Sequence, residues 1–146
     1  MASAKDFFND DEKESVVAAI RAVELSTSGE IRVHIDDRCD GDAFQRAVKV
    51  FIHLNMDKKP FRNAVLIYVA VKDKKFSIVG DIAIHEKVGE KYWKKILVEM
   101  EHHFSLGLFT DGIKEAIQTV GYTLSKYFPA IDELDKNTLP DDISFE

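Results

Sequence analysis

The segment AVLIYVAV, residues 64 to 71, offers no polar group except the Tyr68 hydroxyl over eight consecutive positions. A strand with one wet face alternates, so a run that is apolar on both faces has to be covered on both, and it is too short for a buried helix. A chain built around this segment needs a sheet with helices packed on each side and this strand at its centre.

The flanking patterns supply those layers. Residues 10 to 27 place Val16, Val17, Ile20, Val23 and Glu24 at helical spacing, and Asn9 with Glu12 forms a capping-box pattern at the start. GEIRVHIDD then alternates: Ile31, Val33 and Ile35 point one way and Glu30, Arg32 and His34 the other, which predicts a strand with a wetter face, near a sheet edge. Asp42 followed by Gln45 opens a second helix with Phe44, Val48, Phe51 and Ile52 expected inward, closed before Pro60. Lys72 to Lys75 turn the chain into a third strand, FSIVG. Beyond it, Trp93, Ile96, Leu97, Met100 and Phe104 form one helical stripe and Phe109, Ile113, Ala116, Ile117, Val120 and Leu124 another, separated by Gly107 and ended by Pro129.

Charge narrows the function classes. Residues 132–146 carry a net charge of -5 of the whole chain's -6, which predicts a single domain over residues 1–131 and an acidic C-terminal tail, 132–146, mobile or laid loosely on the body. The nearly neutral body has no basic stripe and therefore no surface for nucleic acid. The N-terminus lacks a basic region followed by an apolar run, and no segment approaches the ~20 apolar residues of a membrane span. The expectation is a soluble, cytoplasmic chain with no membrane span of its own. Cys39 is the sole cysteine, so no internal disulfide can form.

Element order brings charged residues together. A helical crossover makes the first two strands parallel, and a four-residue loop makes the next pair antiparallel, giving a small mixed sheet. The starts of strands one and two therefore share an edge with the end of strand three, which gathers Glu30, Arg62, Asn63, Gly80 and Asp81, with Glu24 at the end of the first helix. If Val71 pairs with Phe76, Asp81 falls opposite Leu66, about 10 Å along the strand from Asn63. Two readings of this group stand: a salt-bridge network sealing the sheet edge, or a site where Glu30 and Asp81 give oxygens to a hard cation while Arg62 orients a carboxylate or meets a phosphate. For Gly29 and Gly80 the expected role is a backbone turn or bulge.

The same pieces, in order, resemble the TPM domain family. The likeness runs from about Asp6 to Pro129 and rests on SGEIRV, RNAVLIYVA, VGDIAI, Trp93, HHFSLGLFTDGI and the closing YFP. The resemblance implies a three-layer α/β/α sandwich, Rossmann-like, with divalent-cation binding in some members and acid phosphatase activity ascribed to a thylakoid-lumen branch. At the pattern positions stand Glu24, Gly29, Glu30, Arg62, Asn63, Gly80 and Asp81. The expected metal ligands are Glu30, Asp81 and Asn63, oriented by Arg62 and Glu24, and the expected ion is calcium or magnesium because the donors are oxygens. The expected function is a cation-binding interaction or regulatory module, with a divalent cation and a protein as partners. The alternative is a metal-dependent acid phosphatase acting on phosphomonoesters.

A second acidic cluster, DDRCDGD, lies at the opposite sheet edge, where open α/β sheets more often bind ligands. Its Asp36, Asp37 and Asp40 are the alternative metal ligands. It is no EF-hand, because Arg38 and Ala47 stand where that loop needs oxygen ligands. Asp42 reads as a helix cap, and Asp36 and Asp37 are expected to pair with the lysines of the neighbouring turn. Other signatures fail: six residues rather than five separate Cys39 from Arg46, Gly89 replaces the second histidine of a zinc-protease motif in HEKVG, and Glu99, His102 and His103 lack a third strong ligand.

Overall fold

The computed structural model describes residues 3–131 and 143–145. Among these, α1 (Asp10–Glu24), β1 (Glu30–Asp36), α2 (Ala43–His53), β2 (Ala64–Ala70), β3 (Lys75–Gly80), α3 (Ile82–Val88), α4 (Glu90–Ser105), α5 (Phe109–Tyr127) and β4 (Ile143–Phe145) follow one another along the chain. The sheet order is β3-β2-β1-β4, with β2 and β4 both parallel to β1 and β3 antiparallel to β2. β2 is buried along its whole length. Its Val65, Ile67 and Val69 join a large core with α1, α4 and α5, and its Ala64, Leu66, Tyr68 and Ala70 join a smaller one with α2. The result is an α/β sandwich with a small mixed sheet.

Local signals account for most boundaries. The Asn9 carboxamide accepts the Glu12 N–H at 2.8 Å and the Glu12 carboxylate accepts the Asn9 N–H at 2.9 Å, so α1 starts on a capping box. Asp42 caps α2 through the Gln45 N–H at 2.9 Å. Gly107, at φ +76°, adopts the left-handed conformation between α4 and α5 that glycine takes without a Cβ penalty. The short α3, between the third strand and the Trp93 helix, was not expected; Asp81 caps it.

Five expectations are corrected. β1 is an interior strand, because Val33, His34 and Ile35 pair with Ile143, Ser144 and Phe145. The C-terminal segment therefore contributes β4 to the sheet and is not wholly a loose tail; residues 132–142 and 146 lie outside the described residues. The inward face of α2 is Ala47, Val50 and Phe51, while Phe44 and Ile52 are 52% and 55% exposed. The helix is rotated so that Arg46 on this stripe can reach Asp36 at 2.8 Å. In the hairpin, Val69 pairs with Phe76 and Ala70 with Lys75, so the turn is residues 71–74 and Asp81 sits beside Ala64, whose carbonyl accepts the Asp81 N–H at 3.0 Å. Finally, Gly29 and Gly80 serve close approach and have no positive φ: a Cβ on Gly80 would lie 2.3 Å from the Trp93 ring, and one on Gly29 2.9 Å from Leu124.

Candidate functional site

The shifted hairpin register decides the geometry at the first edge. Arg62, at φ +51° just before β2, forks onto Asp81 with Nε to Oδ2 at 2.7 Å and a terminal nitrogen to Oδ1 at 2.9 Å. The same Oδ1 accepts the Ile82 N–H at 2.8 Å, and the Arg62 carbonyl accepts the Ala83 N–H at 3.1 Å. The pair thus ties the entry to β2 to the start of α3. Asp81 is only 5% exposed, and the bidentate guanidinium matches its carboxylate plane. The Asp81 hydrogen bond raises the pKa of the Arg62 guanidinium against the opposing effect of burial.

Glu30 has a different partner. Lys59, absent from the expected set, buries its ammonium 3.1 Å from Glu30 Oε1. Asn63 is fully buried and its Nδ2 donates to Ser28 at 3.2 Å, leaving Oδ1 without a hydrogen bond among the described residues. Glu24 is buried at the end of α1. The Ser28 N–H donates to the Phe128 carbonyl at 3.0 Å, and the Thr27 hydroxyl donates to the same oxygen, so YFP clamps the turn that enters β1. Fitness for a metal at this edge is therefore poor, because Asp81 and Glu30 each already face a cationic side chain, Arg62 and Lys59. Among the described residues no three His, Cys, Asp or Glu side chains gather as a metal site.

The opposite edge is organised around Asp36. This buried carboxylate accepts from Tyr68 at 2.5 Å and Arg46 at 2.8 Å, and lies 2.8 Å from His34 Nε2. Burial alone pushes its pKa up, but the contacts with His34, Arg46 and Tyr68 outweigh burial and hold it well below the usual carboxylate range. Burial, with the Asp36 contact, pushes the Tyr68 phenol up. Asp36 therefore pairs with His34, Arg46 and Tyr68 instead of the turn lysines. Asp37 accepts the Ala4 N–H, another departure from the lysine expectation.

The loop after β1 is held from the hairpin turn. Asp73 accepts the Cys39 N–H at 2.7 Å and Arg38 at 3.2 Å, while the Lys75 ammonium donates to the Cys39 and Gly41 carbonyls at 3.0 and 2.7 Å. A hollow of about 340 Å³ remains, lined by Asp36, Asp37, Arg38, Cys39, Asp40 and Arg46. Asp40 is exposed. The buried Cys39 lies 3.9 to 4.0 Å through Sγ from its own loop's carbonyls. In α4, His103 Nδ1 lies 2.9 Å from the Glu99 carbonyl and its Nε2 lies 3.2 Å from Glu115.

Sequence reasoning missed Lys59, Arg46 and Tyr68, and brought the turn lysines to the loop after β1 but to its carboxylates, where Lys75 instead meets the Cys39 and Gly41 carbonyls. Only Arg46 carried a usable signal, being charged on the inward stripe of α2 and one turn from its cap; the others are brought in from distant elements.

The TPM domain family model matches residues 2–123. Among solved structures, the BA42 protein from the psychrophilic bacterium Bizionia argentinensis is 40% identical over the whole of both chains, with a TM-score of 0.88. The N-terminal domain of a protein from P. gingivalis shares the fold at 15% identity and a TM-score of 0.72, over 84% of this chain and 79% of that one. None of the curated proteins matches.

Proposed function

The chain belongs to the TPM domain family, and from that premise we propose that it is a divalent-cation-binding interaction or regulatory module, with the ion in the loop after β1. The observation that carries this reading is the arrangement of oxygen donors there. The carbonyls of Cys39 and Gly41 converge on a cation, the Lys75 ammonium, which an ion using them would displace, beside a hollow whose lining has three acids against two arginines. Asp37 and Asp40 supply carboxylates, while Asp36 is consumed by its own partners. Oxygen donors of this kind suit calcium or magnesium. The hollow also lies past the carboxyl ends of the parallel strands, where open α/β sheets place ligands. The Arg62 edge, by contrast, is read as structural, since Asp81 and Glu30 already face Arg62 and Lys59.

The test is calorimetric titration of calcium and magnesium at fixed ionic strength. A combined Asp37→Asn, Asp40→Asn variant is expected to weaken binding by about tenfold or more, as loss of ligands or their supports does. Asp81→Asn and Glu30→Gln, checked for folding, are expected to leave the affinity nearly unchanged. If those two lose the ion while the loop variant keeps it, the site belongs to the Arg62 edge; if the native chain binds neither ion, the reading fails. A generic phosphomonoester assay run alongside is expected to show no turnover. Cation-dependent turnover abolished by Asp81→Asn would favour the acid phosphatase alternative.

A further inference from the structure

A second, larger hollow lies between the β2–β3 hairpin and the meeting of α4 with α5. Its volume is about 700 Å³, and Phe7, Phe76, Phe104, Phe109, Val69 and Val71 form most of its wall. Phe104 contacts Phe76 and Phe109 with ring centroids 5.1 and 5.4 Å apart, and Phe7 meets Phe109 edge-on at 5.4 Å. These rings pack on one another yet leave the space between them open. Protein interiors are close-packed, and a concavity of this size, mainly apolar with a few charged groups, has the dimensions and chemistry of a small-molecule site.

The charged groups select the ligand. Lys74, Lys75 and Glu101 line the hollow, so its lining is net positive in a chain whose net charge is -6. Lys75 is held by the Cys39 and Gly41 carbonyls. Lys74 is exposed, makes no ion pair among the described residues, and is set at the turn by a left-handed backbone, φ +53°. We propose that this hollow binds a small amphiphilic carboxylate, its apolar body among the phenylalanine rings and its carboxylate at Lys74. The inference goes beyond the cation reading and does not rest on it: Lys75 touches both places, but Lys74 and the aromatic walls belong to other elements than the Asp37–Asp40 loop.

Laurate is the probe, titrated below its micellar concentration into the full chain, with a chelator present so that failure of the cation reading cannot affect the outcome. Its binding is followed by displacement of anilinonaphthalene sulfonate and by NMR shifts of the phenylalanine rings. Lauryl alcohol, with the same body and no charge, is the comparison. Saturable one-to-one binding is expected, with shifts at Phe76, Phe104 and Phe109. Lys74→Glu should weaken laurate about tenfold while leaving the alcohol nearly unchanged, because only the ion pair is reversed. Phe109→Ser should weaken both; if that variant does not fold, Ser105→Phe, which narrows the same hollow from its exposed rim, takes its place. The proposal is overturned if laurate does not saturate, if Lys74→Glu weakens both probes equally or neither, or if the aromatic or rim variant leaves both affinities intact.

Discussion

At Asp36 one buried carboxylate is surrounded by His34, Arg46 and Tyr68. Each contact favours the charged form, and together they overcome the desolvation that would raise its pKa. Because the folded-state pKa lies below the unfolded one, Asp36 contributes stability that is present above the unfolded value, about 4, and is lost as pH falls toward the folded value. Urea midpoints measured from neutral pH down to strongly acidic pH should therefore fall steeply on the acid side in the native chain. Asp36→Asn should lower stability at neutral pH by on the order of 3 kcal/mol and flatten that acid limb. An acid limb of unchanged slope in the variant would show that other carboxylates govern it. The Arg62 fork differs: Arg62 is 41% exposed at its side chain, so the pair holds a junction together without being sealed from water.

Among the elements, β4 changes the molecule most for its length. Three residues cover β1, and Ile143, 4% exposed, joins the main core. Without them, β1 would present an open edge and its backbone groups would return to solvent. Removing residues 143–146 should leave a folded chain that is less stable by about 1.5–3 kcal/mol, the worth of one buried aliphatic side chain. Chemical denaturation of the shortened and full chains checks this; equal midpoints would mean that the pairing adds nothing. The glycines on this scale act through space. Gly80 lets the Trp93 ring of α4 lie against the end of β3, and the ring's Nε1 donates to His85 Nδ1 at 3.0 Å, which locks α3 to α4.

For the whole molecule, β2 is the shared wall of two cores, one under α1, α4 and α5 and one under α2. Neither core can be exposed without uncovering this strand, so unfolding should be a single cooperative transition. Met56→Ala in the smaller core should cost about 2–5 kcal/mol and Ile117→Val in the larger about 0.5–1.5 kcal/mol. Since the two residues lie in cores on opposite faces of the sheet, the double variant should equal their sum within about 0.5 kcal/mol. Circular dichroism and tryptophan fluorescence should give coincident curves for all four proteins. Separate transitions, or a large departure from additivity, would show that the layers melt independently or are coupled through β2.

Local pattern alone determined most of the elements, α3 and β4 excepted: the period of the side chains, the capping residues Asn9 and Asp42, and the doubly apolar run of β2 are all properties of neighbouring residues. Connection rules then determined that Arg62 and Asp81 share an edge, since a crossover and a tight hairpin leave no other arrangement. Contact was a separate matter. A two-residue slip of the hairpin moved Asp81 from opposite Leu66 to beside Ala64, and a polar turn does not specify such a slip because several turns fit the same residues. The rotation of α2 was also hidden, because Phe44 and Ile52 look like core residues until Asp36 is known to need Arg46. Polar partners across distant elements, Lys59 with Glu30 and Tyr68 with Asp36, leave no periodic trace at all. Their pairing depends on where a folded sheet places a buried charge, and the cost of leaving that charge uncompensated is felt only once tertiary structure has removed the water.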